Sequence, residues 1–181
     1  HTPVRYAWDQ MNIYLKRSFL RRIGLGPLIR WQLHTLRQWD QLSSSRVDYL
    51  LANSTFTAKR IWKYWRRHSE VLYPPVNINR FEWEKPREDF YLSVCRLVPN
   101  KRVDLVVRAF NKLKLPLVVV GDGVEKAYLK DLAGPTVQIL GFQSKEKIEK
   151  LMSRCRAFVY AGIEDFGIAP VEAMASGAPV I

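Results

Sequence analysis

Long apolar runs are the first thing this sequence lacks. None approaches the ~20 residues that a bilayer-spanning helix needs, so no membrane span is expected. The opening, His1-Thr2-Pro3-Val4-Arg5, has neither the charged start nor the apolar stretch of a secretory leader, and no initiator Met. Ala178-Pro179-Val180-Ile181 reads as a strand just begun, so both ends look cut and an internal fragment of a longer protein is expected. Cysteine is scarce as well. Cys95 and Cys155 are the only two, in apolar surroundings of unrelated segments and without paired metal-ligand spacing. That excludes a disulfide framework and argues for ordinary core thiols in a reducing compartment, hence a cytoplasmic location. Low-complexity stretches are absent and the charged fraction is an ordinary 25%, which excludes a disordered chain.

Acid is the other shortage. Asp and Glu number 17 against 29 Lys and Arg, a net charge of +12, and the imbalance is local. Residues 1–88 carry 16 of the basic residues, only 7 of the acidic ones and all six tryptophans. A basic, tryptophan-rich half points to an anionic partner: a phosphorylated substrate, an acidic membrane surface or nucleic acid. No RNA-binding or helix-turn-helix signature accompanies the charge, which leaves nucleic acid without support. With 48% apolar residues in 181, the chain can fill one complete domain and part of another.

The first part reads helical. Trp8 to Ile23 mixes apolar and basic residues and is closed by Gly24; Pro27 opens a second helix that runs through Trp39 to Ser43-Ser44-Ser45. The charges on these helices are either simply solvated or serve peripheral attachment to an anionic membrane face. Val47–Ala52 and Val71–Tyr73 read as short strands around a helix, Thr57 to His68, with Ser54 as its N-cap. Residues 77–89 read as a connection, dividing a first domain, 1–76, from a second, 90–181. In the second, strands at Phe90–Leu97, Leu117–Gly121, Val137–Leu140, Ala157–Ala161 and Val180 onward alternate with helices at Val103–Leu113, Glu125–Leu132, Lys145–Cys155 and Pro170–Ser176. Strands apolar throughout, strictly alternating with helices, predict an α/β fold: a Rossmann-like, doubly wound parallel sheet covered on both faces. Its ligands belong beyond the carboxyl ends of the strands.

Several polar residues fall at that edge. Arg96 ends the first strand and Lys101 follows it; Gly121-Asp122-Gly123 follows the second, Gly141-Phe142 the third, and Gly162 to Gly167 the fourth. The last helix begins near Ala169-Pro170, so its free amides and Gly167 suit an anion, and two cations beside a helix N-terminus suit a diphosphate. Singly, each has an ordinary account. The cations can be solvated, Gly-Asp-Gly can be only a turn, and Glu172 can complement a helix dipole. Their convergence on one edge carries the functional reading.

Glu164-Asp165-Phe166-Gly167-Ile168-Ala169-Pro170-Val171-Glu172 followed by Ala173-Met174-Ala175-Ser176-Gly177-Ala178-Pro179-Val180-Ile181 resembles the signature of the family 4 retaining glycosyltransferases of GT-B fold. Arg96 to Lys101 resembles that family's R-x4-K element. Tyr49 to Val76 is similar to the end of its acceptor-side domain, and His1 to Asp9 to the opening of the bacterial O-antigen mannosyltransferase subgroup. The resemblance implies that Arg96 and Lys101 hold the donor diphosphate and stabilise it as it leaves. Glu172 would accept from the ribose hydroxyls, and Glu164 would face the transferred sugar. Amides at Gly167, Ile168 and Ala169 would meet phosphate and sugar, Phe142 would lie by the base, and His1 would face the reacting sugar.

The implied reaction moves a hexose, mannose first, from a nucleotide-diphosphate sugar to a lipid-linked or surface glycan. GDP-mannose is the leading donor, with UDP-sugars open. No cofactor and no metal is implied, and no Asp-x-Asp motif is present. The glycine-rich loop that closes over the donor in the family is missing, so these 181 residues alone are expected to be inactive. A non-catalytic sugar-nucleotide-binding module is the alternative. A glucan phosphorylase shares the architecture but needs a pyridoxal-phosphate lysine motif that is not found here.

Overall fold

Parallel strands cannot be joined by a tight turn; each pair needs a crossover, and this chain supplies a helix for each. The computed structural model describes residues 2–12 and 24–181, so His1 and most of the helix expected at 8–23 lie outside the described residues. The chain divides into two compact units, His1–Pro74 and Pro75–Ile181.

In the first unit, α1 (Gly26–Ser44) starts with Pro27 in its first turn. It buries Asp40 and Ser44 and leaves Leu28, Trp31, Trp39 and Leu42 exposed. Strand β1 (Leu51–Ala52), helix α2 (Thr55–Trp65) and strand β2 (Glu70–Val71) form one parallel crossover, with Leu51 opposite Glu70 and Ala52 opposite Val71. The Ser54 hydroxyl accepts from the Thr57 amide at 3.0 Å, so the cap is where the sequence puts it. The expected strand at Val47–Ala52 shrinks to its last two residues. Its start is drawn aside by Arg67, whose guanidinium donates to the carbonyls of Ser44 (2.5 Å) and Val47 (2.6 Å).

The interior of this unit is partly polar. Asp40 accepts from the indole N–H groups of Trp8 (2.8 Å) and Trp65 (2.9 Å). Buried Arg60 pairs with Asp9 at 2.7 Å and donates to the Pro3 carbonyl at 2.8 Å. A buried charge survives only when paired and hydrogen-bonded in this way.

The second unit holds the sheet that positions the site. Its strands are β3 (Tyr91–Val94), β4 (Leu117–Val120), β5 (Val137–Gly141) and β6 (Ala157–Phe158), all parallel in the order β5-β4-β3-β6. Val180 bridges to Phe158, where the sequence places a further strand. Helices α3 (Val103–Leu113) and α4 (Lys126–Leu132) cover one face, packing Val103, Val107, Phe110 and Leu129 on Leu117 and Val119. Helices α5 (Lys145–Arg154) and α6 (Ile168–Ala175) cover the other, packing Met152 and Ala173 on Leu92, Val120 and Phe158. Val119 and Val120 face opposite ways and are both buried, the mark of a doubly covered sheet. The fold is the α/β, Rossmann-like one that the alternation predicts.

The structure departs from the sequence reading at several places in this unit, among them the strand expected at Ala157–Ala161, which ends at Phe158. Residues 77–89, read as a connection, are stitched into it: Phe81 is buried in the second core cluster, and Arg87 donates to the carbonyls of Met152 (3.0 Å) and Ser176 (2.6 Å). The strand expected at Phe90–Leu97 ends at Val94, yet its backbone stays beside the neighbouring chain, with the Leu97 amide on the Asp122 carbonyl at 2.9 Å. Gly121 permits that approach. Its φ is 146°, and a Cβ there would lie 1.8 Å from the Cys95 carbonyl oxygen.

Candidate active site

The carboxyl ends of the strands gather the polar residues. Past β3 the chain makes a 3-10 turn, Pro99–Lys101, closed by the Lys101 amide on the Val98 carbonyl at 3.0 Å. Past β6 it runs through Tyr160 into the loop that carries Glu164. The Lys101 ammonium forms an ion pair with Glu164 Oε1 and lies 3.4 Å from the Tyr160 hydroxyl. Tyr160 in turn donates to Glu164 Oε1 at 2.6 Å. Lys101 and Glu164 are mostly buried, with side chains 15% and 29% exposed, so their attraction is less screened than that of a surface pair. Gly162 makes room for this cluster, since a Cβ there would meet the Tyr160 hydroxyl at 2.6 Å and the Lys101 Cα at 3.0 Å.

Cys95 senses the same two charges. Burial pushes its thiol up to about 11, a rise that Lys101 opposes and Glu164 adds to. A thiol so protonated is no nucleophile at neutral pH.

Helix α6 follows. Gly167, with φ 85°, forms its N-cap without a side-chain hydrogen bond, and no acid occupies its first turn. Pro170 is the third helical residue and has no N–H to leave unpaired. Among the described residues the Ile168 and Ala169 amides have no backbone or side-chain acceptor, so they remain available to an anion.

Glu172 is not in the first turn, where it would complement the helix dipole. Since α6 begins at Ile168, Glu172 lies in the second turn, where the dipole has little effect. Its Oε1 instead forms an ion pair with Arg80, a residue that sequence reasoning missed. Arg96 and Phe142 stand exposed at the same sheet edge, Phe142 at 81%, and the Arg96 guanidinium makes no hydrogen bond among the described residues. The structure thus brings Lys101 and Glu164 into contact, adds Tyr160 to them, and turns Glu172 toward Arg80. Tyr160 had a signal in its place, at the end of a strand four residues before Glu164. Arg80 had none, because it falls in a polar stretch without periodicity.

The described residues contain no group of three or more His, Cys, Asp or Glu side chains placed to hold a metal ion. No described helix is long and apolar enough to cross a membrane.

A doubly wound parallel sheet with its polar cluster at the strand ends is an open α/β architecture, and solved structures of like shape place the fold in the GT-B class. One of them is HepE of Anabaena in complex with UDP and glucose. It has a TM-score of 0.66 and 22% identity, over 79% of this chain and 47% of that one. The chain belongs to the family described as Glycosyl transferases group 1, whose pattern residues 76–181 match. It is 30% identical over 191 residues to the O-antigen chain mannosyltransferase RfbU of Salmonella typhimurium, across 96% of this chain and 49% of RfbU. To the GDP-mannose-dependent alpha-mannosyltransferase of Mycobacterium tuberculosis it is 33% identical over 159 residues, 83% of this chain and 41% of the relative. The chain spans less than half the length of these curated relatives.

Proposed function

We propose that this chain forms the donor side of a glycosyltransferase that moves a hexose, mannose foremost, from a nucleotide-diphosphate sugar to a lipid-linked or surface glycan. The observation that carries the reading is the Lys101–Glu164 pair at the carboxyl edge of the sheet, in the segment that leads into the unpartnered amides of α6. A departing diphosphate needs positive charge and N–H donors, and both are fixed there before it arrives. In this reading Lys101 and Arg96 neutralise the diphosphate, and the amides around Gly167, Ile168 and Ala169 bind phosphate and sugar. Glu164 bonds the sugar hydroxyls, Glu172 those of the ribose, and Phe142 lies against the base.

Retention of configuration and independence of metal belong to the same proposal. The leaving diphosphate can itself take the acceptor's proton on the face it departs from. The sugar–phosphate bond then breaks as the new glycosidic bond forms, and no second carboxylate is needed as nucleophile. Mannose is favoured by both relatives and GDP by the mycobacterial one, whereas the UDP and glucose bound to HepE favour the UDP-sugar alternative.

The test uses the full-length protein and a panel of GDP- and UDP-sugars titrated by calorimetry. One donor class is expected to bind, and the product made from it to keep the donor's anomeric configuration by NMR. Glu164→Ala is expected to lower transfer by at least ~100-fold while nucleotide affinity changes only a few-fold. Equal loss of binding and transfer would assign Glu164 to binding alone, and inversion would remove the front-face mechanism.

A further inference from the structure

The Arg80 guanidinium is held on three sides. At its root, the 3-10 turn Ile78–Arg80 is closed by the Phe81 amide on the Ile78 carbonyl at 3.2 Å, and the Phe81 ring is buried in the core beside Leu92, Met152 and Ala173. Its guanidinium carbon lies 4.6 Å from that ring's centroid, a cation–π contact. Beyond the ring, Nη2 pairs with Glu172 Oε1 on α6, and Nε lies 3.5 Å from Glu149 Oε1 on α5, an ion-pair contact without a hydrogen bond. The three charged side chains are only 20–29% exposed, which sets them apart from a solvated surface pair. The planar fork of Arg suits such a bridge, because its donors leave in fixed directions.

Glu172 is therefore fixed by one oxygen. Among the described residues its Oε2 takes no hydrogen bond, and its backbone carbonyl accepts from the Ser176 amide (3.0 Å) and hydroxyl (2.9 Å). A carboxylate gripped at one oxygen presents the other as an acceptor in a single direction, and a hydroxyl pair such as that of a ribose needs that directionality.

We propose that Arg80 is a positioning residue for the donor ribose: it orients the Glu172 carboxylate toward the sugar hydroxyls, and Glu149 supports the guanidinium by an ion-pair contact at Nε. This rests on the reading of Glu172 as the ribose acceptor. It predicts a separation that a merely structural brace would not produce. Loss of Arg80 should erode discrimination between a ribose and a deoxyribose, not affinity in general.

The experiment titrates the full-length protein with GDP and UDP and with their 2′-deoxy and 3′-deoxy forms by calorimetry. Arg80→Gln is expected to shrink the preference for ribose over one of the deoxyriboses by about tenfold, the weight of one charge-assisted hydrogen bond. Deoxynucleotide affinity should stay nearly constant, and Arg80→Lys should recover part of the preference. Glu172→Gln should lose the same preference, and Arg80→Gln added to it should take away nothing more. Equal weakening of ribo- and deoxynucleotides in Arg80→Gln, or tighter binding of either, would overturn the proposal and leave Arg80 as a brace or a plug. A ribose preference that survives Glu172→Gln, or no binding of any of the nucleotides, would instead overturn the underlying role of Glu172, and the proposal with it. If Arg80→Gln does not fold, Arg80→Lys and Glu149→Gln decide: both should lower the ribose preference by a smaller factor, and an unchanged preference in both overturns the inference.

Discussion

Cys95 and Cys155 are free thiols, and burial pushes each up to about 11 from an ordinary value of 9.0. The sign of the consequence is fixed. A group whose pKa is raised by folding holds its proton longer in the folded state, so its stabilisation is whole below pH 9 and is lost as pH rises toward 11. Urea unfolding at steps from pH 8 to pH 11 is expected to show that loss. The Cys95→Ala, Cys155→Ala double variant should be less stable at pH 8 through lost packing, yet decline less steeply over the window. Parallel slopes for the two proteins would show that other groups carry the alkaline loss. The core character of these thiols was legible in the sequence from their apolar neighbours. The closeness of Cys95 to Lys101 and Glu164 was not, since it depends on two loops meeting across the sheet edge.

At the scale of elements, the periodic segments were the legible ones. Helix α3 runs over Val103–Leu113, as its apolar spacing predicts, because Arg102 and Lys114 at its two ends both adopt left-handed backbone (φ 52° and 56°) and stop it sharply. The 3-10 turns were not legible, for three residues carry no period. One of them holds Arg80 and the other Lys101, so the missed turn hid a candidate site residue while the R-x4-K spacing revealed the other. The Gly-Asp-Gly turn changes meaning here. Asp122 is occupied by the Gly123 amide (2.8 Å) and Lys126 (2.7 Å), and Gly121 serves the close approach of two strand ends. Gly121→Ala would place a methyl group 1.8 Å from the Cys95 carbonyl oxygen at a φ of 146°, so the strand ends must part. A loss of roughly 3 kcal/mol is expected, read as a lower urea midpoint at unchanged slope. A near-neutral midpoint would show that the ends separate at little cost.

At the scale of the whole molecule, charge and exposed apolar surface coincide in the first unit. Residues 1–74 hold 13 Lys and Arg against 4 Asp and Glu. On α1, Leu28, Trp31, Trp39 and Leu42 recur at helical spacing along one stripe and are 49–69% exposed, opposite the buried Asp40 and Ser44. The structure also accounts for two tryptophans that composition alone would add to such a surface. Trp8 and Trp65 spend their indole N–H groups on the buried Asp40 and are themselves half-buried. We propose that the remaining stripe, together with the basic excess of this part of the sequence, docks on an anionic membrane face where a lipid-linked acceptor would reside. Vesicle sedimentation of the full-length protein tests this. Binding is expected only to vesicles containing acidic lipid and should fall steeply between ~0.05 and ~0.5 M salt, as charges separated by more than a Debye length become screened. Trp31→Ala and Trp39→Ala should each weaken it by roughly tenfold at every salt concentration, since each removes apolar area and no charge. Equal binding to neutral vesicles would discard the electrostatic half of this account. Unchanged binding by both tryptophan variants would discard α1 as the surface, and the charge excess would then have to find its anion in the substrate.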